Sequence, residues 1–209
     1  MADWTLGRRT GKSERRLPAI HGAGLALAAG PLALALLPQA GLTWLAFDRI
    51  AISQGEWWRL VTGNFVHVNL AHGLLNLAGL FLVLALFRHQ LTTRLLLIAT
   101  LPIALATGAL TYWLDPGLDR YAGLSGILHG LFVLGALRCW PTAPRLASLL
   151  ILFLTLKLVQ EQTIPPLSGR LPFLADNIAV TTHLFGALAG GCLGTLILQD
   201  RFRRVRYAG

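Results

Sequence analysis

The sequence predicts an all-α membrane protein, a six-transmembrane-helix bundle with an interfacial first outer loop. Its 209 residues are 55% hydrophobic and only 13% charged, and the mean hydropathy of +0.61 is well above that of a soluble domain. Six apolar runs approach the roughly 20 residues that a membrane-spanning helix needs. We place these spans near residues 19–37, 67–87, 91–113, 122–140, 146–160 and 178–199.

The distribution of lysine and arginine predicts how these spans are oriented. Most of the basic residues lie in the N-terminal segment, in the second–third and fourth–fifth connections and in the C-terminal segment. The positive-inside rule therefore places both termini in the cytoplasm of a bacterial cell, with the protein in the inner membrane. We expect residues 1–18 to form a basic cytoplasmic segment, 19–199 the membrane domain and 200–209 a basic cytoplasmic tail. The basic residues lie in short clusters between apolar runs, which is typical of the topology of a membrane protein. The expected partner is therefore a lipid bilayer and not a nucleic acid.

The connection from about residue 38 to 66 is rich in aromatic residues, namely Trp44, Phe47, Trp57, Trp58 and Phe65. Such rings favour the headgroup layer, so this loop is expected on or partly in the outer leaflet. Simple anchoring of the adjacent helices by the tryptophans explains the composition equally well.

Neither a metal nor a cofactor is indicated. Cys139 and Cys192 lack metal-ligand spacing and suggest no disulfide framework, and no His-Glu-x-x-His sequence occurs. An aspartyl protease would need two buried aspartates, whereas the acidic residues, Glu161 among them, are expected in loops or at helix ends. On the same ground we expect no acid to complete a catalytic triad.

A few polar residues interrupt the apolar spans, and such residues mark a functional site by default. They all fall in the predicted outer halves of the second, fourth and sixth spans: His67, His72, Asn76, Ser125, His129 and His183. A single cavity open to the periplasmic face would gather them. Taken alone, His67 is better explained as a capping or packing group, and Asn76 as a link between helices.

Glycines predict that the helix of Ser125 lies against the helix of His183. Gly123 and Gly126 flank the serine, which permits close backbone approach and leaves amides free to stabilise an oxyanion. Small residues four apart let membrane helices approach closely. The fourth span has Gly126 and Gly130, and the sixth carries a stripe of His183, Gly186, Gly190 and Gly194.

These motifs resemble the signature of rhomboid intramembrane serine proteases. The resemblance rests on Gly123-Leu124-Ser125-Gly126, on His183 followed by Gly186, and on His72-x-x-x-Asn76 upstream. Glu56-Trp57-Trp58-Arg59 is similar to the Trp-Arg element of that family, and the likeness extends over residues 48–194. Within the family, the compact six-helix form and residues 58–63 and 123–130 are most similar to rhombosortases.

The resemblance implies an intramembrane serine endopeptidase with Ser125 as nucleophile and His183 as base, and with His72 and Asn76 as oxyanion donors. His129 stands where many rhomboids have tyrosine. It could compete for the role of base, although stacking or hydrogen bonding against His183 is favoured. Gly123 and Gly126 would support the nucleophile.

Rhombosortase resemblance also implies the partners. The substrates would be membrane-anchored exported proteins that end in a Gly-Gly motif, one apolar helix and a basic tail, and an accessory membrane protein is a further candidate partner. Two other functions remain open from the residues: a non-catalytic, chaperone-like membrane-protein binder and a small transporter.

Overall fold

The computed structural model describes residues 43–164 and 179–207. Its elements in chain order are β1 (Phe47–Asp48), α1 (Arg49–Ser53), α2 (Arg59–Thr62), α3 (Leu70–Leu86), α4 (Thr93–Leu114), β2 (Arg120–Tyr121), α5 (Ser125–Cys139), α6 (Pro144–Thr163) and α7 (Val180–Tyr207). The described chain is therefore mostly helical, and its five long helices correspond to the second to sixth predicted spans.

Three of these helices are long and apolar enough to cross a membrane: Thr93–Leu114, Pro144–Thr163 and Val180–Asp200. Helices α3 and α5 are apolar but shorter. The predicted first span, 19–37, and the basic segment 1–18 lie outside the described residues, so the count of six stays a prediction.

Helix α5 is short and lies at the centre of the bundle. It packs against α3, α4, α6 and α7, and its closest partner is α7. Nine of its fifteen residues are buried, on every side of the helix. A helix that is apolar all round is one enclosed by other elements, so its first residue, Ser125, is held by neighbours on several sides.

Helices α3 and α6 differ from their predicted boundaries in ways that bear on the polar residues. Helix α3 begins at Leu70 because the Asn69 side chain accepts a hydrogen bond from the His72 amide and caps the helix. His67 therefore precedes the helix rather than lying within the span. Helix α6 begins with Pro144 at its first position and continues to Thr163, three residues beyond the predicted end, so that Glu161 is helical.

The connections at the Ser125 end of α5 contain a small sheet, which the all-α prediction lacked. Strand β1 pairs with β2 in antiparallel register, and Phe47 stacks on Tyr121 with ring centroids 4.6 Å apart. Asp48 accepts hydrogen bonds from the amides of Ile50 and Ala51 and pairs with Arg120. Burial would raise the pKa of Asp48, but the hydrogen bonds and the Arg120 charge outweigh it and lower that pKa.

The Trp-Arg element folds back onto the same connections. Arg59 is buried, and its guanidinium bonds to the carboxylate of Glu56 and to the carbonyl oxygens of Thr43 and Ala46. The tryptophans beside it, Trp57 and Trp58, are exposed. Further along, the carbonyl oxygen of Gly63 accepts from the amide of Gly123. The connection that precedes α3 thus holds the loop that leads into Ser125.

Candidate active site

Ser125 is the first residue of α5. No side chain caps this helix at Leu124. The first amides of an α-helix have no partner within the helix, so they can bind a negatively charged group. The serine hydroxyl therefore lies beside a cluster of backbone donors.

Helices α5 and α7 are in backbone contact through their glycines. A Cβ at Gly186 would overlap the carbonyl group of Gly126, and one at Gly190 would overlap that of Gly130. A Cβ at Gly126 would meet the carbonyl oxygen of Thr182 at 2.9 Å. The close approach predicted from the glycine spacing is present, and it fixes the distance between the two helix starts.

This approach brings Ser125 and His183 together. The serine Oγ lies 2.8 Å from Nε2 of His183, a hydrogen-bond distance. His183 lies in the first turn of α7 and is buried. The geometry allows the hydroxyl to donate to Nε2, which is the contact that a serine needs to lose its proton to histidine.

His129 stacks on His183 but does not reach the serine hydroxyl. The two rings are nearly parallel, with centroids 4.3 Å apart. Nδ1 of His129 lies 2.7 Å from the Ser125 carbonyl oxygen, which can only accept, so this nitrogen carries the proton. Nε2 then accepts from the Lys157 ammonium at 2.9 Å. Both ring nitrogens are engaged, so the contact with the hydroxyl falls to His183.

Glu161 was not expected at this site. Its Oε2 lies 3.0 Å from Nδ1 of His183, and its side chain is only 19% exposed. The expectation that no acid completes a triad was therefore wrong in its geometry. The predicted span ended at residue 160, which left Glu161 in the following loop. Helix α6 instead continues to Thr163, and its last turn carries the carboxylate toward α7.

Lys157 is the second residue that sequence reasoning missed. Its ammonium group lies 2.5 Å from Oε1 of Glu161, which is one helical turn away on α6. The same ammonium group also contacts Nε2 of His129. The contacts form a closed hydrogen-bond ring of five residues: Ser125, His183, Glu161, Lys157 and His129. The available signal was the i, i+4 pair of opposite charges inside an otherwise apolar run.

His72 and Asn76 project from one face of α3 toward the loop before Ser125. A Cβ at Gly123 would lie 2.8 Å from the His72 ring and 3.8 Å from Nδ2 of Asn76, so only glycine leaves room there. Asn76 is buried, and its amide nitrogen donates to the His72 carbonyl oxygen at 3.2 Å. Both side chains thus lie beside the backbone that precedes Ser125.

His67 lies behind His72 in the described structure. Their rings meet edge to face with centroids 5.3 Å apart, and His67 is buried against Gly73. It makes no contact with Ser125 or His183 among the hydrogen bonds of the described residues. Its position fits the packing role that the sequence suggested.

The site also contains three residues of metal-binding type. One ligand atom each of His129, Glu161 and His183 lies within 4.8 Å of the others. The two stacked imidazoles hold their lone pairs in nearly parallel planes, which do not converge on one ion as a tetrahedral site requires. The Lys157 ammonium already contacts His129 and Glu161. The donor set therefore fits a lysine better than a metal ion.

Comparison with known proteins adds two findings. The family model described as Rhomboid domain matches residues 54–200, which include every residue of the site described above. A protein of Bacillus subtilis (strain 168), named "Putative rhomboid protease YdcA", is 26% identical over 160 residues, which cover 74% of each chain.

Proposed function

Because the chain belongs to the rhomboid family, we propose that it is an intramembrane serine endopeptidase with Ser125 as nucleophile and His183 as general base. The family supports a protease that acts on membrane proteins within the bilayer. The observation that carries the assignment of the nucleophile is the 2.8 Å contact between the Ser125 hydroxyl and His183.

The proposed reaction follows from the positions of these groups. As the Ser125 oxygen bonds to a peptide carbonyl carbon, its proton passes to Nε2 of His183. The carbonyl oxygen becomes an oxyanion, which the Ser125 amide and the side chains of His72 and Asn76 stabilise. The C–N bond then breaks as Nε2 returns the proton to the leaving amine. Water hydrolyses the resulting seryl ester by the same steps.

For the substrate, we propose the rhombosortase class: an exported protein held by a C-terminal Gly-Gly motif, an apolar helix and a basic tail. The support is the likeness of residues 58–63 and 123–130, together with His129, which stacks on His183. An intact helix keeps its carbonyl groups in hydrogen bonds, so the substrate helix must unwind around the scissile bond before the serine can attack. Adjacent glycines lower the cost of that unwinding by about 1 kcal/mol per residue relative to alanine.

The proposed setting is the bacterial inner membrane, with both termini in the cytoplasm and the site toward the periplasm. The support is the excess of basic residues in the N-terminal and C-terminal segments and in the two connections assigned to the cytoplasm. An anchor cleaved on that side would release the exported part of the substrate. From the same resemblance we propose an accessory membrane protein as a further partner.

The experiment uses a reporter protein with a Gly-Gly motif, an apolar helix and a basic tail, reconstituted with the purified enzyme in lipid vesicles. We expect the wild type to cut it and Ser125→Ala to be inactive. A matched reporter with both glycines replaced by leucine should be cut far more slowly. Cleavage by Ser125→Ala would overturn the protease mechanism, whereas equal cleavage of both reporters would overturn only the substrate class. Binding without cleavage by the wild type would favour the chaperone-like alternative.

A further inference from the structure

The carboxylate of Glu161 lies on the far side of His183 from the serine. Oε2 accepts from Nδ1–H of the imidazole at 3.0 Å, while Nε2 lies 2.8 Å from the Ser125 hydroxyl. The three groups therefore stand in the order acid, imidazole, hydroxyl. They come from the last turn of α6, the first turn of α7 and the first residue of α5.

We infer that Glu161 is a positioning residue for His183 and that Lys157 is its counter-ion, so that the site works as a serine–histidine–glutamate triad. The inference rests on the proposed function, since it assigns roles around the same nucleophile. It gives α6 the role of orienting His183 through Glu161.

The first task of Glu161 is to select one form of the imidazole. A carboxylate can only accept, so it keeps the proton of neutral His183 on Nδ1. The lone pair of Nε2 then points toward the Ser125 hydroxyl, where a base is needed. Without the carboxylate, the ring is free to carry its proton on Nε2, and in that form it cannot accept from serine.

The second task is electrostatic. When the serine proton moves to Nε2, His183 becomes a cation between the Glu161 carboxylate and the developing oxyanion. The proton on Nδ1 stays on the ring, since the acid stabilises the imidazolium without taking its proton. A partly buried carboxylate that is held in place before the reaction provides this stabilisation with little reorganisation of solvent.

Lys157 explains how a carboxylate is tolerated at this place. An unpaired charge inside a membrane protein costs several kcal/mol, and a partner with good geometry offsets much of that cost. The Lys157 ammonium contacts Oε1 of Glu161 and leaves Oε2 for His183. Its second contact, with Nε2 of His129, fixes the ring that stacks on His183.

The test compares Glu161→Gln and Glu161→Asp with Gln160→Ala, an exposed neighbour on the same helix. Glutamine has nearly the shape of glutamate but lacks its charge and can donate to Nδ1. We expect Glu161→Gln to lower kcat by about 10² to 10⁴ with KM unchanged, since substrate contacts remain. Aspartate keeps the charge on a shorter arm, so Glu161→Asp should recover part of the loss. Gln160→Ala should match the wild type.

A second variant separates the effect of losing the Glu161 carboxylate from the effect of leaving the Lys157 ammonium unpaired. Glu161→Gln leaves the Lys157 ammonium without its carboxylate, which lowers stability as well as activity. Adding Lys157→Met removes that charge, so the double variant should regain thermal stability without regaining kcat. The inference is overturned if Glu161→Gln keeps kcat within about threefold of the wild type. It is also overturned if the double variant regains wild-type activity.

Ser125→Ala, measured in parallel, keeps this test separate from the proposed function. If the wild type cuts the substrate no faster than Ser125→Ala, the proposed function itself fails. If the wild type is active, Ser125→Ala is not, and Glu161→Gln equals the wild type, then only the role of Glu161 fails.

Discussion

At the residue scale, the closed hydrogen-bond ring assigns a direction to every contact around the nucleophile. Carbonyl and carboxylate oxygens can only accept, and the lysine ammonium can only donate. These constraints place the proton of each neutral histidine on Nδ1 and leave Nε2 of His183 directed at Ser125. In the proposed mechanism, His129 therefore supports the base and does not compete for its role.

The oxyanion donors give a prediction at this scale. His72→Ala and Asn76→Ala should each lower kcat by about 10² to 10³, because each removes one donor while the nucleophile and base remain. Both variants should therefore retain weak, measurable cleavage. The matched control is His89→Ala, because His89 is an exposed histidine just after the C-terminal end of α3. Cleavage of the vesicle substrate at the wild-type rate by either variant would contradict the role.

Sequence reasoning reached some of these residues and missed others for a physical reason. Ser125 and His183 were identifiable because glycines mark them and because polar groups are costly in a membrane span. Glu161 was not, since a carboxylate near the end of an apolar run is ordinarily exposed. Its contact with His183 depends on how far α6 extends and which way its last turn faces, and neither follows from local sequence.

At the element scale, the pairing of α5 with α7 sets the distance between nucleophile and base. In the described structure the two helices touch backbone to backbone at Gly126 and Gly186 and again one turn further at Gly130 and Gly190. Contacts of this kind leave no space for a methyl group. The glycine spacing was enough to predict the pairing, although it could not give the helix ends.

Two adjacent glycines of α7 test this pairing. Gly190→Ala would drive a methyl group into the Gly130 carbonyl, whereas a Cβ at Gly191 meets only the Val133 side chain at an ordinary 3.6 Å. We expect Gly190→Ala to lose about 1–3 kcal/mol of stability and most of the activity. Gly191→Ala should retain both, as alanine is the better helix former. The measurements are thermal unfolding in detergent and cleavage in vesicles, and similar behaviour of the two variants would contradict the packing argument.

At the scale of the whole molecule, α5 is the helix against which the other elements of the site pack. It is enclosed by the other long helices of the described chain, and the connection that precedes α3 holds the loop at its start. Hydropathy predicted the five long helices that the structure describes, because the thickness of a bilayer sets the length of an apolar run in the sequence. Three of these helices are long and apolar enough to cross a membrane. The pairing of β1 with β2 was not predictable, since it joins segments distant in sequence. The contacts of Arg59 depend on how the connection before α3 folds back on itself, which hydropathy does not report.

The most direct test of this account is labelling of the purified enzyme with a fluorophosphonate, followed by mass spectrometry of the modified peptide. A hydroxyl activated by His183 should react, so the label is predicted on Ser125 in the wild type. It should be absent in Ser125→Ala and formed much more slowly in His183→Ala. A wild type that is not labelled at Ser125, or a His183→Ala variant labelled at the wild-type rate, would contradict the serine–histidine mechanism.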